Sequence, residues 1–233
     1  MASLIECPSP NHEPRPAGMP VDILLLHYTG MRTGLAALSR LIDPAAKVSA
    51  HYMIDEDGAV YRLVDEERRA WHAGVSAWAG ERDVNGRSIG IELVNPGHEF
   101  GYRPFPEAQM AALVELCGGI LTRHPIPPAR VLGHSDVAPA RKQDPGELFD
   151  WPRLATAGIG LWPDGAIPRD APIAEVQVLL ARYGYDVPQS GALDEATAAV
   201  VTAFQRHFRP ACLDGVPDAE TVGRLAALIA RLD

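Results

Sequence analysis

Cysteine is scarce in this 233-residue chain: Cys7, Cys117 and Cys212 stand far apart, with no CxxC pair and no even number to complete a disulfide framework. That excludes a cysteine zinc site, and Cys117, inside the apolar run Met110–Ile120, reads as a small core residue. Positive charge is also short, with 21 Lys and Arg against 30 Asp and Glu for a net charge of −9. Such a surface argues against nonspecific affinity for nucleic acid or anionic lipid, while leaving room for a local basic pocket. The first residues lack a basic segment followed by a long apolar run, so no signal peptide and no membrane insertion are read there. A lipid anchor on Cys7 is disfavoured by Glu6 before it and by the missing apolar lead. As written, the chain is expected in the cytoplasm, with a periplasmic address as the alternative if the sequence starts short of a leader. What is plentiful is apolar material: 47% of residues are hydrophobic, enough to bury a core.

Residues 8–20 carry Pro8, Pro10, Pro14, Pro16 and Pro20 and are expected to be extended rather than an element, so that residues 1–20 read as an extended N-terminal arm. Asp22–Tyr28 and Ser88–Val94 are continuous apolar runs that read as buried strands. His51–Ile54 and Ala59–Leu63 flank Asp55-Glu56-Asp57-Gly58, a hairpin signal. Thr33–Ile42 has helical spacing. Glu107–Thr122, with Pro106 at its entrance, predicts a long helix. Arg130–His134 is a further strand, running into the loop Gly133–Gly146, where two prolines and two glycines hold a cluster of charged side chains. Residues 157–171 are rich in Gly and Pro and read as a linker between a first domain at 21–156 and a second at 172–233. The second predicts three helices, Ile173–Tyr183, Asp194–Arg206 and Asp218–Leu232, with Leu193, Val200 and Phe204 on an apolar face. The expected fold is α/β followed by a small helical domain.

His27 and His134 each close an apolar strand, so neighbouring strands would bring both imidazoles to one rim of a sheet. Asp144, ten residues past His134, is in reach as a third ligand. Two histidines and a carboxylate leave a fourth zinc position open, the pattern of a catalytic site, although for any one of eight histidines a non-ligand role is the commoner one. Glu92 interrupts Ile89-Gly90-Ile91-Glu92-Leu93-Val94. It is either an outward-facing residue on a half-exposed strand or a general base whose pKa burial adjusts. Lys142 is a solvated surface residue or an oxyanion stabiliser. Trp71-His72-Ala73-Gly74 suits a carbohydrate-binding wall or simple core packing. Arg87, and more weakly Arg62, could grip a carboxylate by the planar guanidinium fork.

Five motifs in order, LLLHYT, SAHYMID, AWHAG, NGRSIGIELVN and GHSDVAPARKQDPG, resemble the zinc-dependent N-acetylmuramoyl-L-alanine amidases of the type 2 group, related to peptidoglycan recognition proteins. The resemblance covers residues 20–155. It implies a mixed central β-sheet flanked by helices, with zinc (Zn2+) held by His27, His134 and Asp144 above it. It further implies that Glu92 activates water and that Lys142 stabilises the transition state. His51 and His72 match motif positions that are not metal ligands; His51 reads as a structural strand residue, and Tyr28 and His72 are candidates for substrate binding. Residues 173–231 resemble a three-helix peptidoglycan-binding domain, on Gly191-Ala-Leu-Asp194-Glu-Ala-Thr197 and Phe204-Gln205. The implied partners are muropeptides, and the implied reaction cuts the amide between N-acetylmuramic acid and L-alanine in cell-wall recycling. The rival is a non-catalytic recognition module that keeps the fold. Tyr28, the extra domain and Ser9-Pro-Asn-His-Glu-Pro-Arg-Pro16 look like the envelope-anchored subgroup, which accepts muramic and 1,6-anhydromuramic forms, rather than the cytosolic one. The sequence leaves the oligomeric state open.

Overall fold

A computed structural model describes residues 4–232, so residues 1–3 of the expected arm and Asp233 lie outside the described residues. The chain runs through β1 (Leu4–Glu6), β2 (His12–Pro14), β3 (Ile23–Tyr28), α1 (Gly34–Ile42), β4 (Tyr52–Ile54), β5 (Val60–Arg62) and β6 (Arg68–Ala70). It continues with α2 (Val84–Arg87), β7 (Ser88–Leu93), α3 (Gly97–Phe100), α4 (Glu107–Arg123), β8 (Val131–Gly133) and the one-turn α5 (His134–Val137). Last come α6 (Trp151–Thr156), α7 (Ile173–Tyr183), α8 (Glu195–Phe208) and α9 (Ala219–Ile229).

Six strands form a mixed sheet in the order β1-β5-β4-β7-β3-β8, with β3 parallel to both β7 and β8. The β4–β5 hairpin turns at Gly58, whose φ of +87° is open to glycine at little cost. Side-chain alternation then sorts the strands into two faces. Leu24, Leu26, Ile89, Ile91 and Leu93 join one core with Met110, Leu113, Cys117 and Ile120 of α4. Gln109 in that helix donates to Ile54 O (2.9 Å) and Val94 O (3.0 Å), tying the helix to the strand ends. Ile23, Leu25 and Leu132 belong to the opposite face.

That second face is where the C-terminal helices pack. Ile23, Leu25, Leu132 and Val137 share one uninterrupted core with Val176 and Leu180 of α7, Val200, Phe204 and Phe208 of α8, and Val222 and Leu225 of α9. Trp78 is wedged at the junction, edge-on to Tyr183 (5.9 Å between centroids) and Tyr185 (4.9 Å). The helical unit is built from one step used twice. Asp194 caps α8 by accepting from Thr197 N at 2.8 Å, and Asp218 caps α9 from Thr221 N at 3.0 Å. Gln177 and Gln205 each receive the following turn glycine, Gly191 N at 2.8 Å and Gly215 N at 2.9 Å. Val200 and Phe204 are buried as expected, whereas Leu193 precedes the cap and is exposed.

The arm differs from the expectation that residues 8–20 hold no element. Strand β2 pairs antiparallel with β6, and β1 extends the sheet beside β5. Proline tolerates such short edge strands because their missing donors face away from a partner. The anchor is Arg15, which donates to Gly86 O (2.7 Å), Ser88 O (2.8 Å) and Glu66 O (3.0 Å). Burial, with Arg69 nearby, pushes its guanidinium down to about 10.

Candidate metal centre

Parallel register sets His27 of β3 directly beside Glu92 of β7, on the same face and at the C-terminal strand ends. Strand β8 flanks β3 on its other side and delivers His134 at the start of α5. His27 Nδ1, His134 Nδ1 and Asp144 Oδ2 form a triangle with all three separations at 3.0 Å. This is the one group of three possible metal donors found among the described residues, and all three side chains are buried.

Hydrogen bonds behind the triangle dictate its tautomers. His134 Nε2 lies 3.0 Å from Ala73 O, so it must donate, and Nδ1 is left as a bare lone pair. Ser88 Oγ donates to Val84 O (2.6 Å), so it accepts from His72 Nε2 at 3.3 Å. His72 Nδ1 is then the acceptor for His27 Nε2 at 3.1 Å, which frees His27 Nδ1. Two imidazoles and a carboxylate, each aimed inward and held from behind, fit a divalent metal with one position open. Burial, with His134 close by, lowers His27 to about 4, and burial takes His72 well below the usual histidine range, so both rings are neutral at physiological pH. Burial alone would raise Asp144, but the adjacent His134 and His27 hold its carboxyl below the ordinary range.

The triangle opens into a cleft of about 460 Å³ that Glu92, Lys142 and Tyr28 also line. Glu92 Oε2 is buried with no hydrogen-bond partner among the described residues. Burial, reinforced by the Asp144 charge, raises this carboxyl well above the ordinary glutamate value. Tyr28 donates to His98 Nδ1 (2.9 Å), and His98 Nε2 donates to Glu147 (3.1 Å). Burial, with the Asp144 charge, pushes the Tyr28 phenol up to about 12, so it stays a donor. His72 lines the cleft and supports His27.

Three sequence candidates are not brought there. Arg62 donates to Glu6 of the arm at 3.0 Å, out on β5. Arg87 stands at the opposite end of β7 from Glu92, its fork occupied by Asp22 and Glu81. Trp71 is half-buried against the Ser49 segment, its backbone N–H donating to Ser49 Oγ at 2.9 Å, and it does not line the cleft. Their charge or size promised a ligand contact, but the fold places them away from the cleft and pairs the two arginines with carboxylates. His51 is buried in a structural role, accepting from Gly90 N at 2.9 Å. Sequence reasoning gave no role to Arg15, or to Arg141, which donates to Ala73 O (2.9 Å) and Val75 O (2.7 Å) and so fixes the carbonyl that orients His134. It also left Asp136 unassigned, although a carboxylate 1% exposed needs several donors.

Residues 17–147 match the family model described as N-acetylmuramoyl-L-alanine amidase, and residues 169–225 match one described as a putative peptidoglycan binding domain. The N-acetylmuramoyl-L-alanine amidase AmiD of Escherichia coli (strain K12) is 40% identical over 232 residues, 90% of this chain and 82% of that protein. Its solved complex with the substrate anhydro-N-acetylmuramic acid-L-Ala-D-gamma-Glu-L-Lys superposes with a TM-score of 0.82 at 39% identity, covering 92% of this chain and 91% of that one. AMPDH3 of Pseudomonas aeruginosa in complex with anhydromuramic pentapeptide gives a TM-score of 0.80 at 36% identity, over 93% and 94% of the two chains. The 1,6-anhydro-N-acetylmuramyl-L-alanine amidase AmpD of Enterobacter cloacae is 36% identical over 63% of this chain and 86% of its own length.

Proposed function

The chain belongs to the N-acetylmuramoyl-L-alanine amidase family, and on that premise we propose that it is a zinc amidase of cell-wall recycling. Its reaction is hydrolysis of the amide joining N-acetylmuramic acid, in its 1,6-anhydro form among others, to the L-alanine of peptidoglycan fragments. The observation that carries this reading is the triangle of inward lone pairs on His27, His134 and Asp144, with Glu92, whose Oε2 has no hydrogen-bond partner among the described residues, lining the same cleft.

His27, His134 and Asp144 are the proposed ligands. A zinc ion held by them supplies Lewis-acid polarisation of the scissile carbonyl and acidification of water. Glu92 takes the proton from the attacking water as its oxygen bonds to the carbonyl carbon. The same carboxyl returns that proton to the alanine nitrogen as the C–N bond breaks, leaving a carboxylic acid and a free amine. A carboxyl raised by burial suits this double duty better than an ordinary one, because its proton affinity is closer to that of the groups it serves. Lys142, half-buried on the cleft wall, offers its ammonium to the developing oxyanion. Tyr28, its hydroxyl proton committed to His98, is held in place on the cleft wall and presents its oxygen to the substrate as an acceptor.

No helix among the described residues is long and apolar enough to cross a membrane. A cytoplasmic address, with imported fragments as substrate, belongs to the proposal and is tested by cell fractionation. The reaction itself is tested with matched anhydro and reducing-end muropeptides, reading products by mass spectrometry. Wild-type protein should release free stem peptide and Glu92→Ala should not, while both hold zinc. Unchanged turnover in Glu92→Ala sinks the assignment of the base. Less than half an equivalent of zinc in purified wild-type protein favours a recognition module without catalysis.

A further inference from the structure

We propose that Tyr185 and His207 of the helical unit are positioning residues for the metal centre, acting through Asp136 on the turn that carries His134. This rests on the reading of His27, His134 and Asp144 as metal ligands.

Asp136 sits in α5, two residues after His134, and is almost wholly buried. Its Oδ2 accepts from Gly133 N at 2.8 Å, closing the turn whose first residue is His134. The same oxygen accepts from His207 Nδ1 at 2.7 Å, and Oδ1 accepts from the Tyr185 hydroxyl at 2.6 Å. Both outside donors come from the helical unit, 49 and 71 residues further along the chain.

Neither donor has freedom to leave. The His207 ring is stacked between Trp151 (3.6 Å between centroids) and Phe208 (3.8 Å). Tyr185 lies edge-on to Trp78, and burial together with the Asp136 charge pushes its hydroxyl well above the ordinary tyrosine range, so it remains a donor. Trp151 in turn lies against Gly133, where an added Cβ would meet Trp151 Cζ2 at 3.4 Å and Pro145 Cδ at 2.7 Å. Ser135 N donates to Asp144 O at 2.9 Å, so the same turn that Asp136 closes also fixes the third ligand. A carboxylate buried at a junction between two folding units, and fully committed to both, transmits the position of one to the other. A flexibly tethered binding module would need no such bond.

The test uses the full-length chain as wild type, Tyr185→Phe, His207→Gln and the double variant, with Val222→Ala as a control. Val222 is buried in α9, in the same core but outside the Asp136 network. Zinc affinity is measured by competition with a chromophoric chelator, and the cobalt-loaded protein is read by its visible spectrum. Outer-shell changes commonly weaken metal binding about 10–100-fold, and the single variants are expected near the lower end, about 10-fold. The cobalt spectrum should shift, and kcat on a muropeptide should fall with KM held. Val222→Ala should lower the melting temperature yet leave zinc affinity and spectrum at wild-type values. Tyr185→Phe removes one hydroxyl and keeps the ring, so the comparison survives even if the double variant does not fold. Wild-type zinc affinity and spectrum in Tyr185→Phe and His207→Gln overturn the proposal, as does an equal loss in Val222→Ala. Wild-type protein that holds no zinc removes the ligand reading itself, a failure told apart by the wild-type arm alone.

Discussion

Replacing Gly90 by alanine adds one methyl group in the middle of β7, and the structure says where it goes. The new Cβ would stand 2.5 Å from His72 Nδ1 and 2.6 Å from Cγ and Cε1 of the same ring. Ordinary carbon contacts lie at about 3.5–4.0 Å, so the ring must retreat by roughly 1 Å. The atom under pressure is the one that accepts from His27 Nε2 at 3.1 Å. A retreat of that size takes the bond to about 4 Å, beyond hydrogen-bonding range. His72 is buried between Ser88 and His51, its ring 5.7 Å from that of His51, so the displacement meets more packed atoms and costs about 1–3 kcal/mol of stability. The stranded His27 N–H adds a buried unpaired donor, about 1–3 kcal/mol in its own right. Zinc affinity should drop about 10–100-fold, as expected when a ligand's orienting acceptor is lost. Chelator competition and a thermal melt measure the two effects separately. A second variant, Gly90→Ala with His72→Ala, should recover only the part of the melting temperature lost to the clash, and no zinc affinity, because the His27 N–H still lacks its acceptor. Wild-type zinc affinity in Gly90→Ala would falsify the role given to His72.

Other expectations follow from the same geometry. Glu92→Gln should retain zinc while losing about 10²–10⁴ in kcat, read by product release. In metal-free protein the raised Glu92 carboxyl sets a sign: its stabilising share is complete below its unfolded value near 4.5 and is lost as pH rises toward its higher folded value. Urea melts with chelator should therefore find Glu92→Gln and wild type alike near pH 4 and the variant more stable at pH 7; equal stability at pH 7 contradicts the burial argument. Arg15→Ala should lower the urea midpoint by the equivalent of about 2–3 kcal/mol, since it leaves buried carbonyls without their cationic donor; an unchanged midpoint would show that the arm contributes nothing. Phe204→Ala should cost about 3–5 kcal/mol and shift one single transition. Two separated transitions in calorimetry would contradict the shared core.

Local pattern made the strands legible. Asp22–Tyr28 and Ser88–Val94 are so apolar that only a buried parallel pair accommodates them, and His27 near the end of the first run with His134 just past Val131–Gly133 led directly to the triangle of candidate ligands. Glu92 was legible for the same reason, as a charge where the strand should have none. The arm was not, because five prolines hide pairing whose partners, Val60–Arg62 and Arg68–Ala70, lie more than fifty residues away. Arg62, Arg87 and Trp71 lie outside the cleft lining, because residue type announces a capacity, whereas the place where it is used is set by the fold. Asp136 failed in the opposite direction. Its donors on the helical unit are invisible to any local window, and helical periodicity in Val176, Leu180, Val200 and Phe204 announces an apolar face without saying that a sheet will cover part of it.

Continuity of the core across the linker has a practical corollary. Asp164 and Gly165 are exposed at a turn, with the helical unit already docked on the sheet beside them. A protease cut there severs the backbone yet leaves the buried contacts of Trp78, Tyr185 and His207 intact. The molecule is thus suited to fragment complementation: two polypeptides, expressed apart and divided at that turn, would have complementary apolar faces and a shared carboxylate through which to reassemble. Tighter metal binding by the mixture than by the sheet fragment alone would then serve as a signal that the two halves had met.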